Sequence, residues 1–249
     1  MSEKQQVKEL MMFELRNMSF KNALGFLYFS LLCIFFLGWF AFSGEFQLVN
    51  GSRTLQFSVD IIVIISSMYF VLGVRSKAFK IQAIKGDLYS SPIMILLRTM
   101  PFSEKVILKS RIYLYVLLSL IVQSLNMTIV YLIGPELREW ITPGLFVVWL
   151  IVWNMVTMVI GFMTPASEAG ATYSKKYLTI FNLVFFLSFF LGIYALATFS
   201  GNGIVAWLLY LTATYPLQTL LSSIIVGIIS FILTVHYMKK YMRKVDYHV

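Results

Sequence analysis

The sequence predicts an all-α polytopic membrane protein with six transmembrane helices. Six apolar stretches are each close to the roughly 20 residues that a helix needs to cross a bilayer, and they lie at 23–43, 57–74, 112–133, 141–163, 177–199 and 216–238. The chain is 59% hydrophobic and only 12% charged. Helices are predicted rather than a β-barrel, because barrel strands are short and alternate in polarity, whereas these stretches are uniformly apolar.

The basic residues fall on alternate connections between these stretches. Of the 20 Lys and Arg residues, 18 lie in residues 1–22, the loops 75–111 and 168–176, and the tail 239–249. Only Arg53 and Arg138 lie elsewhere. The positive-inside rule therefore predicts that both termini are cytoplasmic. The same rule and anionic headgroups account for the net charge of +9, so no nucleic-acid partner is predicted.

Residues 1–22 predict an amphipathic helix that leads into a single transmembrane domain, 23–249. Apolar side chains recur at helical spacing, at Val7, Leu10, Met11, Leu15 and Met18. This pattern suits a helix in the cytoplasmic headgroup layer. The alternative is a solvated helix that packs on other cytoplasmic loops.

The loop 75–111 predicts a second short helix. Ser91 is a suitable N-cap and Pro92 a suitable first helical residue. One predicted apolar face is formed by Ile93, Leu96, Leu97 and Met100. Pro101 ends this helix, and Ser103 caps the helix that continues into the third span. The short helix would either transmit force from a cytoplasmic partner or lie at the membrane interface without one.

The stretch 204–213 is apolar but about half the length of a span. Joined to the last span it would be roughly 54 Å long, against a hydrocarbon core of ~30 Å. Because Pro216 is a natural break, the segment 200–215 is predicted to hold a re-entrant or interfacial helix on the external side. The alternative is one long tilted helix that is kinked at Pro216.

The run LLRTMPFSEKVILKSRIYL, residues 96–114, resembles a pattern in permease subunits of the ABC type-2 membrane family. The match comprises Met100, Pro101, Phe102, Ser103, Lys105 and Lys109. Glu104 departs from the pattern, since a basic residue is common there. Within the family, the compact chain is most similar to the small permeases of the phenol-soluble modulin exporter of Gram-positive bacteria.

This resemblance implies a permease in the bacterial plasma membrane that exports amphipathic peptides, lipids or drug-like molecules. It implies two permeases, identical or sisters, and two cytoplasmic ATPase subunits that bind ATP and Mg²⁺. Because the chain has no G-x-x-x-x-G-K-[ST] motif, the ATPase must be another polypeptide. The implied ATPase-coupling residues are Gly86, Ser91, Pro92, Ile93, Leu96, Leu97, Arg98, Met100, Pro101, Phe102, Ser103 and Lys105, with Glu168 in a second, smaller contact.

Polar residues inside the spans are candidates for a substrate pathway. Asp60 is the only acid within a span, and it would either extend toward water or Arg53 or contact a cationic part of a substrate. Asn126, Asn154 and Asn182 lie deeper, where asparagine either joins helices by hydrogen bonds or lines a cavity.

Two other function classes stay open at this point. An ion-coupled secondary carrier is disfavoured, because no three-plus-three repeat and no Gly or Pro break at mid-span is found. A non-catalytic immunity or assembly module would need no ATPase. No enzyme activity, cofactor or metal is predicted, since the sequence has no H-E-x-x-H, G-x-S-x-G or comparable motif.

Overall fold

The computed structural model describes residues 2–17, 20–42, 57–58, 60–65, 77–167 and 173–244. Most of these residues are helical. The helices are α1 Glu3–Arg16, α2 Phe20–Phe42, α3 Pro92–Thr99, α4 Glu104–Ile133, α5 Pro135–Trp140, α6 Pro143–Gly161, α7 Met163–Ser167, α8 Lys175–Ser200, α9 Ile204–Thr214 and α10 Pro216–Lys244. Residues 57–58 and 60–65 are also helical.

Five regions are long and apolar enough to cross a membrane: Phe20–Trp39, Glu104–Ile133, Pro143–Ser167, Lys175–Phe199 and Pro216–Met242. They coincide with the first, third, fourth, fifth and sixth predicted spans, so the prediction of a multi-pass membrane protein is confirmed. Most of the second predicted span, 57–74, lies outside the described residues. The sixth crossing and the orientation of the termini therefore stay predictions.

The helix ends follow the local sequence. Ser2 and Gln5 form a reciprocal capping box at the start of α1. Pro92 is the first residue of α3, and Met100 ends it with extended backbone. The Ser103 hydroxyl accepts a hydrogen bond from the Val106 amide at the start of α4. The predicted beginnings of both helices are thus confirmed.

A small antiparallel sheet, which the sequence analysis did not predict, lies outside the spanning helices. Its strands, in spatial order, are β1 Gln82–Lys85, β2 Leu88–Ser90 and β3 Tyr173–Ser174. Gly86 has a φ of 56° at the first position of the tight turn between β1 and β2, a conformation that favours glycine. The pairing of β2 with β3 joins the loop after the second predicted span to the start of α8.

The break before the last span is confirmed. Helix α9 ends at Thr214, Tyr215 leaves the helical conformation with ψ 59°, and α10 begins at Pro216. A continuous kinked helix is therefore not observed. Helix α9 packs against α6, α8 and α10, with Val205, Ala206 and Leu209 buried.

The connection between the third and fourth predicted spans contains a short helix. Residues Pro135–Trp140 form α5, which packs on α2 and α4. Leu137 and Ile141 are fully buried there, in a cluster with Cys33 and Trp149. Because Leu137 and Ile141 have an apolar cluster to enter, the link folds as a helical turn, and α6 begins at Pro143 instead of Ile141.

Candidate functional site

The structure gathers most of the predicted coupling residues into one compact body. We call residues 77–103 the hairpin–helix unit: a 3₁₀ turn at Lys77–Phe79, the β1–β2 hairpin, α3, and the four residues that lead into α4. Gly86 lies exposed at the tip of the hairpin. Glu168, from the predicted second contact, lies outside the described residues.

The two faces of α3 differ from the sequence prediction. Ile93, Met94 and Leu97 are buried against the start of α4. In contrast, Leu96 and Met100 are 47% and 39% exposed. The prediction of a single face was wrong because Met94 forms the buried arc with residues 93 and 97, Leu96 lies beyond the edge of that arc, and Met100 follows the helix in extended backbone. Met94, which the sequence analysis missed, is fully buried.

Three large apolar side chains of the hairpin–helix unit are therefore exposed outside the spanning helices: Leu88, Leu96 and Met100. Most other exposed large apolar side chains lie on the candidate spans, where lipid is the expected contact. Asp87, in the unit, and Lys105, just after it, are also exposed. The side chain of Arg98 is not among those described. Exposed apolar groups outside the candidate spans are typical of a protein or membrane interface.

The hairpin–helix unit is fixed to the bundle. Phe102 packs against the buried cluster that holds the inner face of α3 and the start of α4. Ser91, predicted as an N-cap, occupies that position, but its buried hydroxyl donates to the Ala78 carbonyl at 3.4 Å instead of capping α3. Pro92 and Pro101 bound the short helix. A displacement of α3 would thus reach α4 through only a few residues.

Helix α1 packs against the start of α4 rather than standing apart from the protein. The Lys109 ammonium donates to a Glu3 carboxylate oxygen at 2.6 Å, and this exposed contact lowers the pKa of Glu3. The Arg111 guanidinium donates to Glu14 at 2.5 Å, with both side chains buried. These contacts hold α1 on the start of α4, which both predicted placements, in the headgroup layer or packed on cytoplasmic loops, allow.

Asp60 has a structural role that the sequence analysis did not foresee. Its two carboxylate oxygens accept hydrogen bonds from the Ile204 and Val205 amides, at 2.5 and 3.0 Å. These are the first two amides of α9, where a carboxylate also complements the helix dipole. The side chain is 1% exposed and does not extend to water. Asp60 therefore fastens the short helix α9 to the helical residues 60–65.

The predicted pathway asparagines lie in two different environments. Asn126 and Asn154 are buried between helices, whereas Asn182 is exposed on α8. The Asn154 amide donates to the Ser124 hydroxyl at 3.3 Å and to the Leu150 carbonyl at 2.8 Å. The structure therefore shows the helix-joining role for Asn154.

Further polar side chains between α4 and α6 were missed. Gln123, fully buried, accepts a hydrogen bond from the Trp153 indole at 3.2 Å. Among the described residues, four buried side-chain atoms between these helices have no hydrogen-bond partner: Ser119 Oγ, Gln123 Nε2, Trp149 Nε1 and Asn154 Oδ1. The signal in the sequence was the spacing of Ser119, Gln123 and Asn126 on one face of α4. We call Ser119, Gln123, Trp149 and Asn154, whose side chains carry these unpartnered atoms, the polar cluster.

Within the described part of the chain, no group of three or more His, Cys, Asp and Glu side chains could hold a metal ion. Comparisons of the chain with models of protein families, with curated proteins and with solved structures give no match.

Proposed function

We propose that this chain is the membrane-spanning permease subunit of an ATP-driven ABC exporter in a bacterial plasma membrane. Two permeases, identical or sisters, associate with two cytoplasmic ATPase subunits, which bind ATP and Mg²⁺. The observation that supports the proposal most directly is the exposure of Leu88, Leu96 and Met100 on a body that shares a buried apolar cluster with α4. The run 96–114, which resembles ABC type-2 permeases, includes two of these exposed residues, Leu96 and Met100.

In this mechanism the hairpin–helix unit is the docking surface for the ATPase. Burial of Leu96 and Met100 against the ATPase supplies apolar contact area, and the basic loops favour an acidic rim on the partner. When the ATPase subunits close on ATP, they displace α3. Helix α4, about 45 Å long at 1.5 Å per residue, transmits that displacement into the bundle.

The polar cluster is the proposed contact for cargo. Unpartnered polar atoms in a buried site cost roughly 1–3 kcal/mol each, and helix–helix bonds use only some of the groups on Gln123 and Asn154. A rearrangement of α4 against α6 during the transport cycle would present the remaining donors and acceptors to cargo. Neutral groups of both kinds suit the amide groups of an amphipathic peptide, and equally the hydroxyl and carbonyl groups of a lipid.

The experiment that tests the proposal is purification of the tagged chain in mild detergent from its native host. A stoichiometric soluble subunit that carries a phosphate-binding G-x-x-x-x-G-K-[ST] motif is the expected result. An intact bundle that co-purifies with no ATPase would overturn the proposal and favour a carrier or an assembly module. The carrier would then need another ionisable group, because backbone amides already engage both Asp60 oxygens.

A further inference from the structure

Arg111 is a charged side chain in the interior of the protein. It lies in the second turn of α4 and is 3% exposed. Its Nη1 donates to the Glu14 Oε2 atom of α1 at 2.5 Å, and Glu14 is 6% exposed. A buried charge is tolerated only when it is paired, so this contact ties α1 to α4.

The same guanidinium makes a second contact, over the face of an aromatic ring. Its Cζ atom lies 4.5 Å from the centroid of the Phe79 ring, within the range of a cation–π interaction. The Phe13 ring of α1 approaches the Phe79 ring as well, at 6.5 Å between centroids. Arg111 and α1 therefore meet at one aromatic side chain.

Phe79, in the 3₁₀ turn that begins the hairpin–helix unit, packs against the inner face of α3. It is 2% exposed and belongs to the buried cluster that includes Ile93, Met94 and Leu97, the inner face of α3. One residue earlier, the Ala78 carbonyl accepts a hydrogen bond from the Ser91 hydroxyl at the start of α3. The position of α3 thus depends on where the Phe79 ring lies.

We propose that Arg111 is a positioning residue that holds α1 and the hairpin–helix unit on the end of α4 as one body. Its ion pair fixes α1, and its cation–π contact with Phe79 fixes α3. Arginine is suited to both tasks at once, because a planar guanidinium donates hydrogen bonds in its plane while its face stacks on a ring. The inference deepens the proposed function, on which it rests for the role of α3 as a docking helix.

The chain contains a matched control for the ion pair. Glu3 and Lys109 join the same two helices at 2.6 Å, but their side chains are 49% and 45% exposed. Exposed pairs contribute little to stability, whereas removal of one member of a buried pair is strongly destabilising. Loss of Glu3 and loss of Glu14 should therefore differ sharply.

The test is hydrogen exchange of the purified full chain in detergent, followed by mass spectrometry of segments 3–16 and 92–99. Glu14→Ala should accelerate exchange in segment 3–16 by roughly 100-fold or more, and should accelerate segment 92–99 as well. Arg111→Lys keeps the charge but lacks the planar face, so it should accelerate segment 92–99 more than segment 3–16. Glu3→Ala should leave segment 92–99 unchanged. Unchanged exchange in residues 116–133 shows that the bundle is folded.

Unchanged exchange in segment 92–99 in both the Glu14 and Arg111 variants would overturn the inference, even if α1 were released. If Glu14→Ala does not yield folded chain, the isosteric Glu14→Gln replaces it. Exchange in segments 3–16 and 92–99 should again accelerate, but by a smaller factor. The assay uses no ATPase, nucleotide or cargo. A negative exchange result overturns only this inference, whereas failure of an ATPase to co-purify overturns only the proposed function.

Discussion

The two faces of α3 allow docking and folding to be perturbed separately. The double substitution Leu96→Asp with Met100→Asp changes one exposed side chain of α3 and the exposed residue that follows the helix, whereas Leu97→Ala changes the buried face. The sequence pattern placed Leu97 and Met100 on one face and would have predicted the same result for both. The structure predicts opposite results.

The expected magnitudes follow from the exposed fractions. Leu97 is 3% exposed, so Leu97→Ala should lower the free energy of unfolding by about 2–5 kcal/mol through loss of packing. Full burial of a leucine or methionine side chain contributes roughly 1.5–3 kcal/mol. About half of that is still available at Leu96 and Met100, so both together supply about 1.5–3 kcal/mol to a docked complex. Their loss should weaken ATPase binding roughly 10- to 100-fold.

The assay is titration of the purified chain with its co-purifying ATPase, alongside thermal unfolding of each variant. Met12→Asp, at an exposed position of α1 outside the hairpin–helix unit, is the control for added charge and should bind normally. The Leu96/Met100 variant should stay folded, with a lower unfolding temperature because more than half of each side chain is already buried, and it should bind poorly. Binding within about twofold of wild type by that folded variant would refute the docking surface.

Three further predictions concern the bundle and α1. Asp60→Ala removes the acceptor for two α9 amides, so the unfolding free energy should fall by about 0.5–2 kcal/mol, with Asp60→Asn intermediate; a wild-type melting temperature for the alanine variant would contradict the capping role. A Cβ added at Gly161 would lie 1.4 Å from the Tyr115 hydroxyl oxygen, whereas one added at Gly144 would meet nothing within 4 Å. Gly161→Ala should therefore lower the free energy of unfolding, measured by denaturation, by about 1–3 kcal/mol, and Gly144→Ala should not lower it. Equal stability of the two variants would be evidence against this close packing. Because its lysine contact lowers the pKa of Glu3, that carboxylate stabilises α1 above its ordinary pKa of 4.5, and the contribution is lost as the pH falls through the lowered pKa. Circular dichroism of the wild type should show this acid sensitivity, and Glu3→Gln should reduce it; identical profiles would mean that the contact does not form in solution.

The spanning helices and the ends of the short helices could be predicted from the sequence. Long, uniformly apolar runs form helices in a bilayer, because no water is present to bond the backbone amides and a helix satisfies them within its own segment, whereas barrel strands are short and alternate in polarity. The starts at Pro92 and Ser103 and the break before Pro216 follow from equally local rules of capping and proline geometry. Such features depend only on neighbouring residues, and they were predicted correctly in the described part of the chain.

Contacts between distant residues were decided by the tertiary structure. Asp60 meets α9 across 144 positions of the chain, and Glu14 meets Arg111 across 97. The strand Tyr173–Ser174 exists because β2 offers it an edge. The exposure of Leu96 beside the buried Leu97 likewise depends on where α4 lies. A sequence determines which residues are able to cap, pair or pack, but the partner in each case is set by how the helices assemble in space, because these interactions act only at short range.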